Sequence, residues 1–65
     1  MTFLNPADHF TAKDGTRYRL DGVAYAPRQE PQVTWHSYRV VDGQANFTGM
    51  GRGTASDWQK MKEML

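Results

Sequence analysis

Apolar and polar residues alternate through the middle of the chain and take a wider spacing only near its end. In Arg17-Tyr18-Arg19-Leu20 the apolar positions are every second one, the period of a strand buried on one face. Asp21-Gly22 follows. It is one of three Asp-Gly pairs, at 14–15, 21–22 and 42–43, and both residue types tolerate the positive φ of a type I′ hairpin turn. A two-residue loop at Asp21-Gly22 predicts Leu20 opposite Val23 and Tyr18 opposite Tyr25. Arg17, Arg19, Ala24 and Ala26 then occupy the other face. Pro27 to Gln32 is a polar connector with two prolines, too stiff for a central strand. A second hairpin is predicted from Val33 through Val41, turning at Asp42-Gly43 and returning from Gln44 to Thr48. It pairs Val40 with Ala45 and Tyr38 with Phe47 on an apolar face, and Arg39 with Asn46 and Ser37 with Thr48 on the other.

Trp35 breaks the pattern, because strict alternation sets it with Ser37 and Arg39, away from Tyr38 and Val40. Either a bulge near His36-Ser37 returns Val33 and Trp35 to the core, or the strand is regular and Trp35 stands outside beside Arg39. The bulge is favoured, since exposing a tryptophan forfeits about 2 kcal/mol of burial.

The flanks read differently. Asn5-Pro6-Ala7-Asp8 has the cap, first-turn proline and early carboxylate of a short helix. Phe3, Leu4 and Phe10 would fold back from it as a lid on the sheet. Gly49-Met50-Gly51-Arg52-Gly53 reads as a mobile glycine loop. Ser56-Asp57-Trp58-Gln59 reads as a capping box opening a helix that runs to the end, with Trp58, Met61 and Leu65 on one face and Met64 beside them. The elements together predict one α+β domain over residues 1–65. Two antiparallel hairpins form a small sheet, an SH3-like half-barrel, and the C-terminal helix packs on it. Its core would draw on Tyr18, Leu20, Val23, Tyr38, Val40, Phe47 and Trp58.

Composition narrows the function classes. A chain of 65 residues has room for one domain, and the absence of cysteine leaves packing to hold it together. Eight Lys and Arg against seven Asp and Glu give a net charge of +1, too little for a bulk field that draws in nucleic acid or membrane. Met1 to Pro6 lacks the basic start and apolar run of a signal peptide, and no window is long enough to span a bilayer. A cytoplasmic protein is expected, in the host cytoplasm if phage-encoded.

Tyr18-Arg19-Leu20-Asp21-Gly22-Val23-Ala24, a polar loop, then Val33-Thr34-Trp35 and Tyr38 resemble a family of small uncharacterised phage and bacterial proteins with an SH3-like barrel core. The likeness covers residues 15–40 and, loosely, Trp58 and Met61. It departs where that family carries a tryptophan-x-arginine-proline segment, replaced here by Gly49 to Gly53. The resemblance implies a small curled sheet and no activity.

No catalytic constellation stands out. His36 and Ser37 are adjacent, and neighbours on a strand point to opposite faces. With His9 the only other imidazole and no cysteine, no metal site is expected, and no cofactor. The glycine run lacks the Gly-Lys-Ser/Thr ending of a phosphate loop. A non-catalytic protein-binding module is therefore expected, such as a phage or mobile-element regulator or inhibitor of a host protein. Its partner contacts would be Trp35, Arg39, Tyr25, Met50 and Arg52, residue types that dominate interface energetics. A small β-barrel nucleic-acid binder is the alternative, using Arg17, Arg19, Arg28, Arg39 and Arg52 with Trp35 as a stacking platform. An assembly component that recruits a strand to a free sheet edge is a third.

Overall fold

The computed structural model describes residues 4–65. Four antiparallel strands lie side by side in chain order: β1 (His9–Thr11), β2 (Arg17–Ala24), β3 (Gln32–Val41) and β4 (Gln44–Thr54). Helix α1 (Ala55–Met64) follows β4 directly. The α+β class is as expected. The sheet is open, with β1 and β4 as its two edges, rather than closed into a barrel.

Two of the three Asp-Gly pairs turn the chain. At Asp42-Gly43 both residues have positive φ, 52° and 78°, as a type I′ turn requires. The pairs Val40–Ala45, Arg39–Asn46 and Tyr38–Phe47 follow from it. At Asp14-Gly15, glycine takes φ 90° and the Asp14 carboxylate accepts the Thr16 amide at 2.9 Å. The pair at 21–22 does not turn, which corrects the first predicted hairpin. Neither residue has positive φ, and β2 runs through them with Asp21 as a bulge between Leu20 and Gly22. The bulge shifts the alternation by one, so Leu20 and Val23 both face the core, against Trp35 and Val33 of β3. The turn lies instead between Tyr25 and Pro31, where Arg28 takes φ 62°.

β3 itself is regular, and the extra residue near the predicted bulge belongs to β4. Ser37 pairs with Gly49 and Tyr38 with Phe47, leaving Thr48 unmatched. Val33, Trp35 and Ser37 therefore share the inner face, which α1 covers. Trp35 is half-buried there, 5.8 Å from Trp58 with the rings tilted by 40°. Strict alternation then sends Tyr38 and Val40 outward, with Phe47 beside them. Val40 and Phe47 are exposed rather than core, and Tyr38 is half-buried on the outer face.

The core gathers around Trp58, which has no exposed surface and packs with Leu20 and Val33. Leu4, Phe10, Tyr18, Val23 and Trp35 surround them. Gly49, Gly51 and Gly53 are not a loop. They are the inner-face positions of β4, opposite Ser37, Trp35 and Val33. A Cβ at Gly51 would lie 2.6 Å from the Trp35 indole nitrogen, and one at Gly53 would lie 2.7 Å from an Asp57 oxygen. The glycines let the indole and the helix start lie on the strand.

The helix cap lies two residues before its predicted position at Ser56. Thr54 is the N-cap, its hydroxyl accepting the Asp57 amide at 3.1 Å while Asp57 accepts the Thr54 amide at 2.9 Å. Ser56 instead bonds to the carboxylate of Glu30. Trp58 is buried and Met61 half-buried as predicted, whereas Met64 and Leu65 are exposed. At the other end of the chain, Asn5 makes a single turn by accepting the Ala7 amide at 3.0 Å, and no helix forms. The Asp8 carbonyl then accepts the Leu20 amide at 3.1 Å, which draws the chain straight into β1. Phe10 lies within that strand, stacked on Tyr18 at 5.0 Å; Phe3 lies outside the described residues.

Candidate functional site

The face of the sheet turned away from α1 is built by pairing. One row across it reads Thr11, Arg17, Tyr38, Phe47; the next reads His9, Arg19, His36, Met50. A third holds Gly22, Thr34 and Arg52 along a shallow concavity. The first two rows run from polar or basic residues on β1 and β2 to apolar ones on β4, and the third ends on β4 at Arg52. Phe47 is 67% exposed and Met50 73%, with exposed Val40 close by on β3.

The bulge at Asp21 completes this face. Asp21 Oδ1 lies 2.6 Å from His36 Nδ1. A carboxylate only accepts, so Nδ1 carries the proton. The imidazole lies over Tyr38, with ring centroids 5.8 Å apart at 30°. Ser37, next in sequence, points inward and donates to the Gly49 carbonyl at 3.3 Å. His36 and Ser37 therefore sit on opposite faces.

Charge is sorted between the two sides. The outer face carries Arg17, Arg19 and Arg52 against a single carboxylate, Asp21, itself bonded to His36. The other six carboxylates lie elsewhere, and four of them serve structure. Asp8 accepts from the Trp58 indole and from Lys62, both at 2.8 Å. Burial pushes the Asp8 carboxyl up, but Lys62, Trp58 and the His9 amide together outweigh it and hold it below its ordinary value. Asp14 is lowered by the Thr16 amide and hydroxyl and then by Arg39, and Asp57 by Thr54. Glu30 holds Ser56.

The residues singled out from the sequence are scattered. Of the partner-binding set, Met50 and Arg52 stand on the outer face, whereas Trp35 lies inside against Trp58. Arg39 sits on the inner side, donating to Thr16 Oγ1 at 3.2 Å and pairing with Asp14 at 3.3 Å. Tyr25 is exposed in the β2–β3 loop, as is Arg28. Of the five arginines of the nucleic-acid set, three share the outer face: Arg17, Arg19 and Arg52. Sequence reasoning missed Tyr38, Phe47 and His36 as members of this face, having assigned the first two to the core.

Among the described residues, no three His, Asp or Glu side chains gather as a metal site, and no helix is long and apolar enough to cross a membrane. The chain matches no known protein family, no curated protein and no solved structure.

Proposed function

We propose that the protein is a non-catalytic binding module that works through the outer face of its sheet, and that a single-stranded nucleic acid is the ligand this face suits. The observation that supports this is the sorting of charge. Three arginines and the rings of Tyr38 and Phe47 share a face with one carboxylate, while the remaining six lie elsewhere. Arginines track the phosphates and exposed rings stack on unpaired bases, a combination that tolerates many sequences. The near-neutral total conceals a polarised molecule.

Fluorescence anisotropy with a labelled oligothymidine tests this. Affinity should fall with salt at a log-log slope of about −2, for three phosphates neutralised on a single strand. Arg17→Glu or Arg19→Glu should weaken binding by about ten-fold or more, since each removes a charge-assisted contact. Lys60→Glu, on the exposed side of α1, should change little. No binding at about 50 mM salt, or a flat salt response, overturns the assignment.

A protein partner, as for a small inhibitor of a host protein, is the second reading. What favours it is the exposed apolar group Val40, Phe47 and Met50 beside the free edge of β4.

A further inference from the structure

We infer that the free edge of β4 is the seat of a second copy of this chain, paired antiparallel about a two-fold axis between Thr48 and Gly49. This goes beyond the binding reading above and does not depend on it.

The molecule has surface to spare. Its accessible area is 4978 Å² at 7.4 kDa, against roughly 4,200 Å² for a folded monomer of that mass. The excess of roughly 800 Å² is about what one partner contributes to a standard stable interface. The pairing of β2 with β3 ends at Arg17–Tyr38, so Arg39–Val41 and Gln44–Asn46 project as a two-stranded arm, and the molecule measures 44 × 20 × 16 Å. β4 is also the longest strand, and one side of it has no neighbouring strand among the described residues. It contains no proline and no lysine, and Arg52 is its one charge, so most devices that blunt a free edge are missing. Among the described residues the buried cluster is Leu20, Val33 and Trp58, and no cysteine is present to staple it. Oligomerisation is a common remedy for so small a core.

The remaining edge device, the bulge at Thr48, is what makes β4 complementary to itself. Residues directly opposite in a sheet share a face. Before the bulge, Ala45 and Phe47 are outer and Gln44 and Asn46 inner; after it, Met50 and Arg52 are outer and Gly51 and Gly53 inner. With the axis between Thr48 and Gly49, every pair on either side of the centre matches. Phe47 meets Met50 of the other copy and Ala45 meets Arg52 on the outer face, so no like charges oppose. On the inner face, Asn46 meets Gly51 and Gln44 meets Gly53, a long side chain set beside an absent one each time. An axis passing through a residue, rather than between two, would mismatch faces across the bulge. The two outer faces would join into one eight-stranded surface.

Sedimentation or light scattering on the intact protein, from micromolar to millimolar, tests the state. The expected mass at high concentration is twice 7.4 kDa. Met50→Lys should return it to one copy, with circular dichroism confirming that the variant is folded. A second measurement needs no variant. In a mixture of labelled and unlabelled protein, isotope-filtered NOEs should connect Phe47 of one copy with Met50 of the other. A single-copy mass throughout the range, or intermolecular NOEs confined to other surfaces, overturns the inference.

Discussion

Gly51 shows how one missing side chain positions a much larger one. Trp35 can lie flat inside the sheet because the position opposite has no Cβ to meet it. Gly51→Ala should therefore cost about 1–3 kcal/mol, the usual penalty for overpacking. At Gly49 a Cβ would rest 3.6 Å from the Ser37 hydroxyl, an ordinary contact. Gly49→Ala should be near neutral, and urea unfolding of the two variants measures the contrast. Asp8 has a comparable influence. It ties the segment before β1 to α1 through Trp58 and Lys62. Its folded carboxyl titrates below the ordinary 3.8. The stability it contributes is therefore complete above that value and is lost as pH falls through the lower, folded one. Asp14 and Asp57 are displaced in the same direction, so the unfolding midpoint should drop between about pH 5 and pH 2. Asp8→Asn should lose about 1–2 kcal/mol at neutral pH and flatten part of that acid limb. An acid limb unchanged in the variant would remove Asp8 from the account.

At the level of elements, what could be read in advance was whatever depended on local chemistry. Asp42-Gly43 turned with the expected register because both residues tolerate the left-handed conformation and the pairing on either side of the turn agrees with it. The C-terminal helix formed because a cap and an amphipathic run are local as well. Even so, Thr54 rather than Ser56 became the cap, since Glu30 draws Ser56 away from the helix amides. Thr54→Ala should cost about 1 kcal/mol and fray the first turn, visible as faster amide exchange at Asp57. Tertiary packing decided the elements that were misread. Asp21-Gly22 has the same local signature as Asp42-Gly43, yet running straight on buries Leu20 against Trp35 and Val23 against Val33. Those partners lie fifteen and ten residues away, and no local signal reports them. The same holds for Gly49 to Gly53, whose alternation looked like a loop until Trp35 and Asp57 were found lying over it. Tyr38, Val40 and Phe47 form an apolar row that reads as core, yet it lies on the outer face because Trp35 and Val33 take the inner one. The candidate face was accordingly legible as a list of arginines but not as a surface.

For the whole molecule, an open sheet with one helix leaves the side away from α1 uncovered by any other element among the described residues. The helix side takes Trp58, the tied carboxylates and the Leu65 carbonyl, which accepts the Lys13 amide at 2.9 Å. The other side keeps Arg17, Arg19, Arg52, Tyr38 and Phe47 in solvent or near it. A net charge of +1 is thus the sum of a basic face and a slightly acidic remainder. The most direct test is an amide and side-chain chemical-shift titration of the folded protein with oligothymidine at low salt. Perturbations should centre on Arg17, Arg19, His36, Tyr38 and Arg52 and spare Lys60 and Glu63 on α1. Perturbations centred on α1, or none across the titration, would contradict a binding face on the open side of the sheet.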